Sequence, residues 1–232
     1  MLETFENFKE KIEYFNTKYQ EYQGKLNYHY NNAKNLTVRK EYARGGEVIH
    51  RGYYCPSPVL DKIVGNCKRG KLIKTPRKMP DYEYWLDSDN KIILIKKYCH
   101  EINTSEIEIL LYSTNSVDSV IYQNVEDDPQ NLSEILVLSR CIFDNKELKT
   151  YDVATMLDNL CLEINTENYE YNGKRLISST IENYNIDLDY LFQNQYFYNY
   201  DTNNNMISYT TKQYYNGGYK PSIHDNITYD LL

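Results

Sequence analysis

The sequence predicts an α+β fold in which helices from about the first 65 residues cover one face of an antiparallel, hairpin-built meander formed by residues 80–215. Three observations predict it: one amphipathic stripe near the amino terminus, a change of texture after "KRGKLIKTPRKMP", and turn-centred units that recur through the remainder. With 232 residues, 41% of them apolar, the chain can bury a substantial core. The domain reading is a helical region 1–78, with a basic segment at 34–78, and an acidic sheet region 79–232, forming one compact domain.

The stripe runs Phe5, Phe8, Ile12, Phe15, Tyr19, Tyr22, a 3-4-3-4-3 spacing that lines one side of a helix. Glu6, Lys9, Glu10, Glu13 and Lys18 occupy the other sides, and Gly24 is placed to end it. A second start signal is "PSPVLDKIVG", where Ser57 can cap, Pro58 can take the first helical position and Gly65 can close a short helix.

From residue 80 onward the units are "WLDSDNKIIL" (85–94), "IFDNKELKTY" (142–151), "YEYNGKRLIS" (169–178) and "YNYDTNNNMISY" (198–209), with a fainter member in "EILLYSTNSVDSVIY" (108–122). Each places a short Asp/Asn/Gly turn between two apolar or aromatic runs. Asn and Asp tolerate left-handed backbone, and Asn172-Gly173 matches a type I′ hairpin turn. A lone hairpin is marginal in water, so several in series imply one meander. A sheet with one face covered and one face wet would account for the mixed alternation. "TYDVATMLDNLCLEI" (150–164) and "NIDLDYLFQN" (185–194) stay open between helix and strand.

Charge divides the chain into three zones. Residues 1–33 carry four Lys/Arg against five Asp/Glu, residues 34–78 carry twelve against three, and residues 79–232 carry ten against twenty-five. The acidic zone repels nucleic acid and attracts cationic partners by long-range steering. The basic zone has two readings. It binds nucleic acid, with Lys68, Arg69, Lys71, Lys74, Arg77 and Lys78 as phosphate contacts, or it folds against the chain's own acidic sheet.

Chemistry-bearing motifs are scarce. Cys55, Cys67, Cys99, Cys141 and Cys161 form no CxxC pair, and His29, His50, His100 and His224 show no metal-ligand spacing. Neither GxSxG nor a P-loop nor GxGxxG occurs, so no cofactor, metal or catalytic residue is assigned. The amino terminus is charged from its third residue and the longest aliphatic runs are about four residues, far from the ~20 that span a bilayer, so a cytoplasmic protein is expected.

"YNYDTNNNMISY" resembles the YD repeat of Rhs-type proteins through Tyr200, Asp201, Asn204, Asn205 and Ile207, with Asn in place of the usual turn glycine. Across residues 80–215 the short, acidic, hairpin-rich chain resembles the immunity proteins encoded beside polymorphic toxins of Gram-positive bacteria. That resemblance implies a non-enzymatic inhibitor that occludes a cognate cationic toxin, a nuclease being one such target. Charge and loop placement nominate Glu126, Asp127, Asp128, Asp187 and Asp189 as partner contacts, with Tyr196, Tyr198 and Tyr200 as aromatic anchors on one strand face.

Overall fold

The computed structural model describes residues 5–46, 51–60, 69–75, 80–99, 104–125, 134–215, 218–219 and 228–230. The chain is α+β: two helices near the amino terminus precede an antiparallel meander of successive hairpins. It divides into two compact units, one of Thr17–Ser139 and one of Met1–Asn16 with Arg140–Leu232. Helix α1 (Phe5–Tyr22) and strand β7 (Ile135–Asp144) give residues to both.

Helix α1 follows the predicted stripe. Phe8, Phe15, Tyr19 and Tyr22 are buried, and Gly24, at φ +71, ends the helix in the left-handed conformation that a Cβ would oppose. A second helix, α2 (Leu26–Leu36), follows at once, burying Leu26 and Ala33. Ser57 Oγ accepts from the Leu60 amide at 3.2 Å, as a cap does; the rest of the expected helix, with Gly65, lies outside the described residues.

In the unit of Thr17–Ser139 the strands are β1 (Arg39–Arg44), β2 (Lys71–Ile73), β3 (Tyr82–Leu86), β4 (Ile92–Cys99), β5 (Thr104–Tyr112) and β6 (Ser116–Val125). Their order is β2-β1-β3-β4-β5-β6, with the first residues of β7 beside β6. Here the expectation of one wet face is corrected. Strand β3 is buried at every position, because α2 covers one face while Gly46 and Arg51–Tyr54 cover the other. Tyr30 of α2 lies against Trp85 at 5.1 Å between ring centroids, and Tyr54 meets Tyr84 edge-on at 4.9 Å on the opposite face. Gly52 makes that second layer fit: a Cβ there would stand 2.7 Å from Tyr84 Oη and 2.8 Å from the Tyr82 ring.

In the other unit the chain continues through β8 (Glu147–Leu157), β9 (Leu160–Asn172), β10 (Arg175–Asn185), β11 (Tyr190–Tyr200) and β12 (Met206–Tyr215), each beside the next. Two short strands, β13 (Gly218–Tyr219) and β14 (Thr228–Asp230), pair with β12. Both open segments resolve as hairpins. Asp158 and Asn159, at φ 46 and 73, form a two-residue turn between β8 and β9, and residues 186–189 turn β10 into β11. Positive φ at both central residues is the I′ pattern, which Asn145-Lys146 also shows. At the expected I′ site the result differs: Arg175 pairs with Asn172, so the central residues are Gly173 and Lys174, and only Gly173 (φ +61) is left-handed, as in a II′ turn.

Two of the remaining repeat units, 85–94 and 198–209, share one device. Asp201 Oδ1 accepts the amides of Asn203 and Asn205 at 2.9 and 2.8 Å, and the Asn204 amide reaches the Asp201 carbonyl at 3.1 Å. Asp87 Oδ1 accepts the amides of Asp89 and Lys91, both at 2.9 Å, and the Asn90 amide reaches the Asp87 carbonyl at 3.1 Å. In each the asparagine is left-handed, at φ 69 for Asn204 and φ 61 for Asn90. An aspartate that holds two amides, followed by an asparagine that tolerates αL, is the physical content of the repeated turn.

Candidate functional site

Asp187 and Asp189 stand exposed in the turn between β10 and β11, and the structure shows how that turn is held. Asn185 Oδ1 accepts the Leu188 amide at 3.0 Å, and the Asp189 amide donates to the Ile186 carbonyl at 3.2 Å. Tyr184 donates its hydroxyl to Asp189 Oδ1 at 2.8 Å, while its ring meets Phe8 of α1 at 4.9 Å between centroids. Burial, reinforced by the Asp189 carboxylate, pushes the Tyr184 hydroxyl up to about 12, so it stays a donor. The first helix is therefore linked to Asp189 through a buried tyrosine.

The tyrosine row on β11 is on one face, opposite to that of Phe8 and Lys11. Tyr196 pairs in register with Ser179 and Thr211, and its ring lies 5.9 Å from that of Tyr209. Tyr198 is only 8% exposed and shares a short hydrogen bond of 2.5 Å with Ser179. Burial raises its hydroxyl pKa well above the ordinary value. Tyr200 is half-buried; its hydroxyl donates to the Leu176 carbonyl and its ring lies 4.8 Å from the Arg175 guanidinium carbon. As placed, Tyr198 is a packing residue, while Tyr196 and Tyr200 keep partial exposure. Glu126, Asp127 and Asp128 lie outside the described residues.

On the α1 face of the same unit runs a polar row that sequence reasoning missed. Asp152, Thr166, Glu182 and Gln193 are neighbours on four successive strands, and all are buried. Lys11 reaches Asp152 Oδ1 at 3.1 Å and Thr166 Oγ1 at 3.0 Å, and Gln193 Nε2 donates to Glu182 Oε1 at 2.7 Å. A lysine on the flank of the apolar stripe and single polar residues inside strands carry no motif; only register brings them together. The row pins the helix to one registration on the sheet.

The basic segment is partly spent inside its own unit. Arg51 Nε donates to Glu108 Oε1 at 2.7 Å, and Arg51 Nη2 donates to Ser139 Oγ at 3.0 Å. Lys40 meets Glu83 at 2.6 Å and Arg39 meets Glu41 at 2.9 Å. Burial pushes the Glu83 carboxyl up, but hydrogen bonds from Lys40, Tyr98 and Trp85 outweigh it and hold the pKa below the usual carboxylate value. Arg69 is half-buried and donates to the Tyr53 carbonyl at 2.9 Å. Lys71 and Lys74 are exposed, whereas Lys68, Arg77 and Lys78 lie outside the described residues.

Among the described residues, no group of three or more His, Cys, Asp or Glu side chains is arranged to hold a metal ion. None of the described helices is long and apolar enough to cross a membrane. The architecture and turn chemistry define the class as a hairpin-built α+β protein. No protein-family model, curated protein or solved structure matches the chain.

Proposed function

We propose that the protein is a non-enzymatic, immunity-type inhibitor that occludes a cognate cationic toxin through the acidic surface of residues 140–215. One observation carries the reading: Arg39, Lys40 and Arg51 of the basic segment pair with Glu41, Glu83 and Glu108, while Asp187 and Asp189 meet no cation among the described residues. A negative field left uncompensated at solvent-facing turns raises the encounter rate with a basic protein. Tyr196 and Tyr200 would add rigid contact area beside it. A nuclease fits the partner chemistry, because the basic face that grips phosphate is the face an acidic inhibitor covers. A cytoplasmic site of action accompanies this reading.

The test is co-expression and co-purification with the product of the adjacent reading frame, scored by complex formation and by protection of growth. Failure of both would end the inhibitor reading. The second reading, nucleic-acid association, is favoured by exposed Lys71 and Lys74. It requires DNA or RNA binding that weakens steeply with salt.

A further inference from the structure

We infer that the toxin-binding surface is the sheet end bearing the Asp158-Asn159 and 186–189 turns, where three leucines inside an acidic rim dock a cationic protein with an apolar centre. The inference rests on the inhibitor reading and names the surface that would serve it. Leu157 and Leu160 are paired across the first turn and are 58% and 64% exposed. Leu188, in the second turn, is 74% exposed. The Ile186 amide donates to the Leu162 carbonyl at 3.0 Å, which sets the second turn beside the first hairpin.

Turn chemistry does not call for these leucines. The left-handed positions of the first turn are Asp158 and Asn159, and in the second turn only Asp189 is left-handed, so neither needs leucine for its backbone. Exposed large apolar side chains gathered at one end and rimmed by polar residues mark an interaction surface.

Charge selects the occupant. Residues 157–163 and 185–190 contain Asp158, Glu163, Asp187 and Asp189 and neither Lys nor Arg. Nucleic acid and anionic lipid surfaces are repelled by that rim. Two copies meeting through the same end would set like charges against each other. A basic protein meets both requirements, since the carboxylates steer encounter and the leucines, desolvated at the centre, govern release. The Asn185 bond to the Leu188 amide and the Tyr184 bond to Asp189 hold the surface in shape before the partner arrives.

The probe is the product of the adjacent reading frame, titrated by calorimetry and stopped-flow against four forms of the full chain. These are the wild type, Leu157→Ser/Leu160→Ser/Leu188→Ser, Asp158→Asn/Asp187→Asn, and the control Leu72→Ser on β2. The leucine variant should lose on the order of 100-fold in affinity through faster dissociation. The asparagine variant should slow association by about tenfold at low salt and leave dissociation nearly unchanged. Leu72→Ser should behave as wild type. A leucine variant that melts cooperatively and still binds like wild type overturns this surface and leaves the inhibitor reading standing. A wild type that neither binds the probe nor protects overturns that reading, and this inference with it. Self-association in sedimentation that the leucine variant abolishes would make the occupant a second copy and overturn the inference.

Discussion

Removing the Arg51 side chain should expose how much the buried ion pair holds the Arg51–Tyr54 turn on its sheet. Arg51 and Glu108 side chains are each 5% exposed and 2.7 Å apart, and Ser139, itself 2.7 Å from Ser119, accepts a further bond from the guanidinium. Arg51 sits at φ 66, so Arg51→Gly keeps the backbone unstrained and removes the cation. The Glu108 carboxylate is then buried without its partner, at a cost of about 3–5 kcal/mol. Glycine adds roughly 0.5–1 kcal/mol of chain entropy. Replacing both partners, Arg51→Gly/Glu108→Leu, removes the stranded charge and should recover at least ~2 kcal/mol relative to Arg51→Gly. Urea titrations of the wild type, both single variants and the double variant give the coupling by linear extrapolation. A single-variant loss below about 1 kcal/mol, with no recovery in the double variant, would refute the desolvated pair and return Arg51 to the pool of free surface cations.

Other expectations follow from the same structure. His29 has its pKa lowered by burial and by Lys25, so the fold favours the neutral ring; that stability is present above pH 6.5, declines as pH falls below it, and His29→Gln should flatten the decline in thermal melts. Hydrogen bonds from Asn205 and Asn203 hold the Asp201 carboxyl below its usual 3.8, so its contribution is present above that pH and is lost as pH falls through the lowered value. Asp201→Ala should speed amide exchange at Asn203 and Asn205 and leave exchange at Asp89 and Lys91 of the Asp87 turn unchanged, and equal exchange in both proteins would count against the shared device. Gly52→Ala should destabilise by more than ~2 kcal/mol, since its Cβ meets Tyr84 Oη and the Tyr82 ring, while Gly173→Ala, with open space around it, should cost only the ~1–2 kcal/mol of left-handed backbone. Equal melting shifts for the two alanines would remove the steric argument.

Much of the fold was legible from local chemistry. The stripe from Phe5 to Tyr22 and the stop at Gly24 needed only helical spacing and a glycine. The turns at Asn90, Asn145, Gly173 and Asn204 were visible because each combines Asp, Asn or Gly with flanking strand formers. Asp158-Asn159 escaped because Leu157, Leu160 and the residues around them satisfy a helical and an alternating period at once, and only pairing with β9 decides between them. The closed second face of β3 was hidden for a different reason: no local pattern announces that Arg51, 57 residues before Glu108, will cross the sheet to meet it. Within the candidate site, Asp187 and Asp189 were readable as turn acids. The tethering of Asp189 by Tyr184 and the burial of Tyr198 depend on tertiary placement. The exposed leucines gave no warning either, since a leucine beside a turn reads as core until its exposure is seen.

The most direct test of the central claim is the association rate between the chain and the product of the adjacent reading frame, measured across a salt series. An acidic, occluding inhibitor predicts a one-to-one complex whose association slows steeply as salt rises while dissociation barely changes. Absence of a complex, or an association rate indifferent to salt, would contradict it.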